Sequence, residues 1–252
     1  MTAHWKNKQV LVTGAGGFIA SHLVEALAIR GAHVRAFVRY NSRNDPANLV
    51  FLSEQAKQSV EIIGGDLRDP QAISQAAKDV SHIFHLGALI SIPYSYLHPY
   101  EVIETNIIGT TNVLLAAREL GVARVIHTST SEVYGTALQV PIREQHPLQG
   151  QSPYSASKIG ADKIAESFHL SYNLPVVTVR PFNTYGPRQS TRAVISAIIT
   201  QALTRDIVQL GNLDTTRDFT YVDDTVAGFL AAGEQEGVEG DTFNLGFGDE
   251  IQ

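Results

Sequence analysis

The stretch VLVTGAGGFIASHLVEAL, residues 10–27, combines a short apolar run, a group of glycines and the apolar spacing of an amphipathic helix. This order predicts a buried strand, a tight turn and a helix. Gly14, Gly17 and Ala20 lie at three-residue spacing: the first allows the bend, the second lets the backbone approach a pyrophosphate, and the small third keeps helix and strand close. The turn therefore predicts a dinucleotide-binding site, and a glycine-rich turn of another βαβ fold is the alternative.

Strands and helices alternate along most of the chain. Short apolar runs, typical of strands buried on both faces, predict strands at Gln9–Thr13, Val34–Arg39, Val60–Gly64, His82–Leu86, Arg124–Ser129, Val176–Arg180 and Thr242–Leu245. Helical patterns fall at Gly17–Arg30, Gln71–Ala77, Val102–Leu120, Ser155–Tyr172, Ala193–Leu203 and Asp223–Ala232. This alternation predicts an α/β fold with a Rossmann-type doubly wound parallel sheet. We expect a dinucleotide-binding domain over residues 1–180 and a small, partial substrate-binding lobe over 181–252, interleaved with the Rossmann core.

The composition narrows the classes of partner. The 252 residues carry a formal net charge of −6, which argues against nucleic acid, and they include no cysteine, which excludes disulfide and thiolate chemistry. No apolar run approaches membrane-spanning length and the N-terminus lacks a signal-peptide pattern, so we expect a cytoplasmic protein without a membrane partner. The nine histidines show no ligand spacing, and no metal site is predicted.

Two proline-containing patches follow predicted strands, at Ser91–Tyr100 and Thr136–Pro153. Ligands of open α/β sheets bind outside the carboxyl ends of strands. We therefore expect both patches, as loops, to border the binding site.

The end of the second predicted strand bears on the choice of cofactor. An acidic residue there would accept hydrogen bonds from a ribose 2′-OH, but Arg39 occupies this place, and Ser42 and Arg43 follow. A cation and a hydroxyl suit a 2′-phosphate, so NADP is predicted over NAD, with a solvated arginine loop as the alternative. Asp66 either reaches the adenine or belongs to the N-cap region before Pro70. The predicted cofactor-binding set is Gly14, Gly17, Phe18, Ile19, Arg39, Ser42, Arg43, Asp66, Leu67, Leu86, Ala88, Tyr154 and Lys158.

A tyrosine and a lysine form the centre of the predicted catalytic group. YSASK, residues 154–158, places Tyr154 and Lys158 one turn apart on one helix face. A nearby ammonium stabilises a phenolate, so we expect the pKa of Tyr154 to fall from about 10 towards working pH, where it can take a proton from a hydroxyl as hydride leaves the carbon. Thr130 and Glu132 follow a predicted strand and should share this cleft. A surface Tyr–Lys pair and plain turn chemistry are the alternatives.

Together these motifs resemble those of the extended short-chain dehydrogenase/reductases that act on nucleotide-sugars. The resemblance rests on the glycine turn, HLGA (85–88), TNIIGT (105–110), STSEVYG (129–135) and YSASK, and it extends through RPFNTYGPRQ (180–189) and RDFTYVDD (217–224). FVRYNSRN, SIPYSY and HPLQGQSPYSASKIGADK resemble the configuration-retaining 4,6-dehydratases of nucleotide-activated N-acetylglucosamine, of the type that serves legionaminic acid and related sugars. Family members continue past the last residue of this chain, so the resemblance also implies a truncated substrate lobe.

The resemblance implies a role for each matching residue. Tyr154 would be the base at the sugar O4, Thr130 would hydrogen-bond O4, and Lys158 would hold the nicotinamide ribose. Glu132 would remove the proton from C5, so that water is lost between C5 and C6 and hydride returns to C6 of a 4-keto-6-deoxy sugar. The predicted catalytic set is Thr130, Ser131, Glu132, Tyr154 and Lys158, and the predicted substrate-binding set is Ser91, Thr130, Asn183, Arg188 and Arg217. Of these, Asn183, Arg188 and Arg217 would hold the diphosphate of the nucleotide-sugar.

One residue departs from the pattern of the family's glucose dehydratases. They carry an Asp-Glu pair after the threonine, where this chain has Ser131 and Glu132. The usual acid for the C6 hydroxyl is missing, so Glu132 or an ordered water would have to donate that proton. Three other functions stay open: a 4-epimerase, which needs no base at C5, a nucleotide-sugar decarboxylase, and a non-catalytic dinucleotide sensor.

The resemblance also implies a homodimer through a four-helix bundle of the predicted helices Val102–Leu120 and Ser155–Tyr172. A helix that is apolar beyond one stripe has a further surface to bury. The apolar residues behind this prediction are Ile103, Ile107, Leu114, Ile159, Ile164 and Phe168.

Overall fold

A seven-stranded parallel sheet forms the centre of the molecule. The computed structural model describes residues 4–251. The strands in this part of the chain are β1 (Gln9–Thr13), β2 (His33–Arg39), β3 (Val60–Gly65), β4 (His82–His85), β5 (Arg124–Thr128), β6 (Val176–Pro181), β7 (Asn183–Tyr185), β8 (Phe219–Tyr221) and β9 (Thr242–Leu245). The main sheet has the order β3-β2-β1-β4-β5-β6-β9, and every neighbouring pair is parallel. The predicted α/β fold with a Rossmann-type doubly wound sheet is confirmed.

Helices cover both faces of this sheet. They are α1 (Phe18–Ile29), α2 (Glu54–Lys57), α3 (Pro70–Ala77), α4 (Ile92–Leu97), α5 (Pro99–Ile103), α6 (Gly109–Glu119), α7 (Pro153–Tyr172), α8 (Val194–Thr204) and α9 (Val222–Glu234). Helices α1 and α9 pack together, as do α3 with α6 and α6 with α7. Within residues 4–251, no helix has both the length and the apolar character that crossing a membrane requires.

Strand side chains alternate between two apolar clusters, one on each face of the sheet. In β1, Val10 and Val12 join the cluster that contains residues of α1 and α9, whereas Leu11 joins the one that contains residues of α3 and α6. This double burial explains the continuous apolar runs in the sequence. Because both faces are covered, the loops at the carboxyl ends of the strands are the part of the sheet that is open to a ligand.

The patch Ser91–Tyr100 was expected to be a loop, and that prediction is wrong. It forms α4 and the first two residues of α5. Both of its prolines, Pro93 and Pro99, stand in the first turn of a helix, where the missing N–H is not needed, and Ser91 caps α4 by accepting the N–H of Tyr94. The other patch, Thr136–Pro153, has no regular element before α7, as expected.

The predicted helix Val102–Leu120 is present up to Glu119, but part of it is not α-helical. A π-helical turn, Glu104–Ile108, joins α5 to α6. In this turn Asn106 is buried and its side chain bonds both the N–H and the carbonyl of Leu89. The turn therefore fastens the helix to the loop that follows β4.

Residues 181–251 form a small second sheet and also add a strand to the main sheet. Strands β7 and β8 form a small parallel sheet that sequence patterning missed, while β9 pairs with β6 in the main sheet. The domain boundary at residue 180 stays a prediction, and the outermost residues of the two predicted segments, 1–3 and 252, lie outside the described residues.

The homodimer also stays a prediction. Of the apolar residues behind it, Leu114 and Phe168 are buried inside the chain, whereas Ile103 is 44% exposed.

Candidate functional site

A cleft of about 940 Å³ opens at the carboxyl ends of the strands. It runs from the glycine turn and the loop after β2 to the ends of β5 and β6 and the start of α7. The predicted site residues that line it are Gly14, Gly17, Phe18, Ile19, Arg39, Ser42, Arg43, Leu86, Ala88, Thr130, Ser131, Glu132, Tyr154 and Asn183. A smaller pocket of about 110 Å³ shares Gly14, Arg39 and Ala88 with the cleft and adds Asp66 and Leu67.

The glycine turn has the geometry of an anion cradle. Gly14 has a φ of +66°, and a Cβ at this position would lie 2.7 Å from the Cα of Gly87, so only glycine fits. Gly17 is the N-cap of α1 and supplies no side-chain cap. The N–H groups of the first helical turn are therefore available to an anion, with the positive end of the helix dipole behind them. This arrangement fits the pyrophosphate of a dinucleotide.

The charged residues at the far end of the cleft already have partners. The Arg39 guanidinium lies 3.3 Å from the Glu101 carboxylate on α5. Asp66 accepts hydrogen bonds from the backbone and side chain of Arg68, which lower the pKa of the Asp66 carboxyl. The N-cap of α3 is Asp69, and Asp66 lies in the turn before it, where its carbonyl accepts the N–H of Asp69.

Tyr154 and Lys158 are fixed by a well-capped helix. Ser152 and Ser155 cap the start of α7 reciprocally, and Pro153 occupies its first turn. Tyr154 and Lys158 then lie one turn apart, and both are buried. The Lys158 ammonium donates to the carbonyl of Thr128 at 2.6 Å, which ties α7 to the end of β5.

The expected low pKa of Tyr154 is wrong for the protein alone. Burial raises the pKa of Tyr154 to about 12, and a hydrogen bond with Thr130 only partly offsets this effect. Burial likewise lowers the pKa of Lys158 to about 8, against the opposing charge of Asp162. Both pKa shifts mean that the charged form of the side chain is disfavoured, because burial removes the charge from solvent water.

The buried Lys158 makes stability depend on pH. The pKa of Lys158 falls from 10.5 to about 8 on folding, so between these values the unfolded chain binds more protons and the free energy of unfolding rises with pH. We expect wild type to gain about 2 kcal/mol relative to Lys158→Met between about pH 7.5 and about pH 9.5. Denaturant titrations of both proteins at the two pH values measure this difference, and parallel pH dependences would contradict it.

Glu132 lies at the open side of the same cleft. It stands in a 3₁₀ turn, Ser131–Tyr134, where its backbone N–H donates to the Thr130 hydroxyl at 3.2 Å. Its side chain is exposed, and its charge contributes to the raised pKa of Tyr154. Thr130, Glu132 and Tyr154 therefore form one group, in agreement with their expected common cleft.

The predicted substrate residues are not all brought together. Asn183 lines the cleft, but Ser91, Arg188 and Arg217 do not. The Arg188 guanidinium bonds Glu25 on α1 and the carbonyl of Phe51. The side chain of Arg217 bonds the neighbouring carbonyl of Thr216. The predicted contacts of Asn183, Arg188 and Arg217 with a diphosphate, and that of Ser91 with the substrate, stay predictions.

Sequence analysis missed a buried acid behind the lysine. Asp162 follows Lys158 by one turn of α7 and is 5% exposed. It accepts hydrogen bonds from His127 at 3.0 Å, Ser129 at 2.7 Å and Arg180 at 3.1 Å. The signal that could have revealed it is the continuation of the Tyr154–Lys158 spacing by a further four residues.

The chain matches one family model over nearly its whole length. The model described as GDP-mannose 4,6-dehydratase covers residues 11–251. UDP-glucuronic acid decarboxylase 1 of Arabidopsis thaliana is 34% identical over 249 residues, which are 96% of this chain and 55% of that protein. Curated relatives are longer than this chain, which spans between 53% and 77% of their length.

Two solved structures show the same likeness. A UDP-N-acetylglucosamine 4-epimerase from Methanobrevibacter ruminantium, in complex with UDP-N-acetylmuramic acid, has a TM-score of 0.89 and 31% identity and covers 98% of this chain and 78% of that one. A dTDP-glucose 4,6-dehydratase from Streptomyces venezuelae with NAD bound has a TM-score of 0.86 and 33% identity and covers 96% of this chain and 77% of that one. The similar proteins therefore include a decarboxylase, an epimerase and a dehydratase.

Proposed function

The chain belongs to the GDP-mannose 4,6-dehydratase family of NAD-dependent epimerases and dehydratases, and from this premise we propose that it is a nucleotide-sugar 4,6-dehydratase. The proposed substrate is UDP-N-acetylglucosamine and the product its 4-keto-6-deoxy derivative. The observation that carries the proposal is the common cleft of Glu132, Thr130 and Tyr154. Elimination needs a base for the C5 proton in addition to the groups that oxidise C4.

The proposed cofactor is a nicotinamide dinucleotide, NAD or NADP. When bound, this cofactor supplies hydride transfer: it would accept a hydride from C4 and return it to C6. The turn at Gly14 and Gly17 would hold its pyrophosphate, and Lys158 its nicotinamide ribose. NAD is present in similar solved structures, whereas the preference for NADP rests on Arg39, Ser42 and Arg43 alone.

Tyr154, Thr130 and Lys158 perform the proposed oxidation. Tyr154 accepts the proton of the sugar O4 hydroxyl, and Thr130 holds O4 by a hydrogen bond. The buried position of Tyr154 keeps water from this proton transfer. Lys158, whose ammonium is held by the Thr128 carbonyl, keeps a positive charge next to the phenolate as it forms.

Glu132 performs the proposed elimination. Its carboxylate removes the C5 proton, which oxidation at C4 has made acidic, and the C6 hydroxyl then departs as water. When hydride returns to C6, C5 takes up a proton from solvent, and Tyr154 releases to solvent the proton that it took from O4. Ser131 offers no carboxylic acid for the C6 hydroxyl, so Glu132 delivers the proton it has taken, directly or through water. An exposed carboxylate at the mouth of the cleft can do both, because it can reach the sugar and exchange its proton with water.

A 4-epimerase is the second candidate, since the similar Methanobrevibacter structure is an epimerase of a UDP-N-acetyl sugar. This reaction needs Tyr154, Thr130 and Lys158 but no base at C5. The same similarity supports the N-acetylglucosamine nucleotide as substrate in either case. Glu132 is the residue that separates the two candidates.

The nature of the product tests the proposal. We expect the chain, incubated with NAD or NADP and a panel of UDP- and GDP-sugars, to convert UDP-N-acetylglucosamine to a product lighter by one water. Mass spectrometry measures this change. An isomer of unchanged mass that separates from the substrate by chromatography would identify an epimerase, and loss of carbon dioxide from a uronic acid would identify a decarboxylase, so either result would overturn the dehydratase.

A further inference from the structure

Arg39 is restrained by an acid from a distant part of the chain. Glu101, on α5, places one carboxylate oxygen 3.3 Å from the Arg39 guanidinium. The other oxygen accepts the hydroxyl of Tyr94 on α4 at 2.5 Å. Glu101 is held by two partners and is only 26% exposed, whereas Arg39 is 65% exposed. The acid is therefore the fixed member of this pair and the arginine the movable one.

The charges around Arg39 do not favour the binding of a phosphate next to the carboxylates that are already there. Asp66 engages Arg68 through a bidentate pair, and Arg68 also lies 3.6 Å from Glu104. Arg39 and Arg68 together face the carboxylates of Asp66, Glu101 and Glu104, so this end of the site has one more acid than base. The positive charge of Arg39 and Arg68 is therefore already balanced by carboxylates, whereas Arg43, which also lines the cleft, is not part of these pairs.

We propose that Glu101 determines how strongly this site discriminates between NADP and NAD, by holding the Arg39 guanidinium away from a 2′-phosphate. The inference rests on the nicotinamide cofactor of the proposed function. Glu101 does not line the cleft itself, so it acts through Arg39 and is a specificity-determining residue rather than a ligand of the cofactor.

The two dinucleotides differ in what they ask of Arg39. A 2′-phosphate gains most from a guanidinium that is free to form charge-assisted hydrogen bonds. To form these hydrogen bonds, the Arg39 guanidinium must break its ion pair with Glu101 or divide its hydrogen bonds between Glu101 and the phosphate. The Glu101 carboxylate then stays close to the doubly negative 2′-phosphate. A ribose with a free 2′-OH requires neither change. Removing the charge of Glu101 is therefore expected to strengthen NADP binding and to leave NAD binding nearly unchanged.

The structure offers a matched control for this substitution. Glu104 lies three residues after Glu101 and is also partly exposed, but its carboxylate pairs with Arg68 instead of Arg39. We therefore compare Glu101→Gln with Glu104→Gln, each alone and in an Arg39→Gln background. These residues are on the surface, and thermal unfolding of each variant checks that the fold is retained.

Calorimetric titrations with NAD and NADP at low salt measure the ratio of the two affinities. We expect Glu101→Gln to raise the NADP-to-NAD affinity ratio by about five- to tenfold. Glu104→Gln should change the ratio by less than about twofold. In the Arg39→Gln background, Glu101→Gln should lose most of its effect, because the guanidinium through which it acts is gone.

Each other outcome contradicts the inference. An unchanged ratio in Glu101→Gln overturns it, and so does an equal shift in Glu104→Gln or an undiminished shift without Arg39, since both would mean a general charge effect. If wild type binds neither dinucleotide, the cofactor of the proposed function fails and the inference fails with it. Normal binding with an unchanged ratio contradicts the inference alone.

Discussion

Glu132→Gln is expected to slow formation of the dehydrated sugar by about 10²–10⁴-fold, the usual loss when a general base is removed. The substitution keeps the size of the side chain and the backbone hydrogen bond to Thr130. It removes only the carboxylate that would take the C5 proton. The groups proposed for oxidation, Tyr154 and Lys158, are untouched.

Oxidation at C4 without elimination would show that Glu132 acts as a base and does not merely support the structure of the site. Mixed with UDP-N-acetylglucosamine, Glu132→Gln should still oxidise C4, so nicotinamide absorbance should show reduced cofactor accumulating. In heavy water the variant should lose deuterium incorporation at C5. These two signals together locate the block after oxidation and before elimination.

Tyr154→Phe is the matched control for this experiment. It keeps the buried ring of Tyr154 and removes the hydroxyl that oxidation requires, so neither reduced cofactor nor exchange at C5 should appear. If Glu132→Gln forms product at the wild-type rate, Glu132 is not the C5 base. The dehydratase would then have lost the residue that distinguishes it from an epimerase.

Local patterns allowed the fold and much of the cleft to be predicted. The apolar run of β1, the glycine turn and α1 are adjacent in sequence, and Gly14 has the positive φ that its turn requires. The cleft followed from a rule of topology, since loops after parallel strands meet at one edge of a sheet. Thr130 and Tyr154, 24 residues apart by their numbering, could be placed together on this ground.

Features that depend on burial or on distant partners could not be predicted in this way. Pro93 and Pro99 suggested a loop, because their place in the first turn of a helix is visible only when the helix is known. The spacing of Tyr154 and Lys158 suggested a low tyrosine pKa, but burial raises this pKa, and Thr130 is the group that lowers it. The bond between Arg188 and Glu25, 163 residues earlier in the chain, likewise has no local signal in the sequence.

Asp162 carries the second large prediction, which concerns stability. Its carboxylate is the negative charge between two buried bases, Arg180 and Lys158, and its pKa lies below the ordinary value because His127 and these bases favour the ionised form despite burial. His127 is itself lowered in pKa by burial, so it bonds Asp162 as a neutral donor rather than as a cation. The Asp162 carboxylate is thus the negative charge that balances the buried positive charge of Arg180 and Lys158.

Asp162→Asn should therefore lower the free energy of unfolding by about 3–5 kcal/mol, since it leaves buried positive charge without compensation. Glu166→Gln is the matched control: it lies one turn further along α7 and pairs with Lys163, but both side chains are more than half exposed, so its loss should stay below about 1 kcal/mol. Denaturant unfolding at neutral pH measures the loss of stability in both variants.

Adding Arg180→Met to Asp162→Asn should recover part of the loss, because it removes an uncompensated charge. Equal effects of the two single variants would mean that Asp162 is not the counter-charge on which α7, and with it Tyr154 and Lys158, is held against β5 and β6.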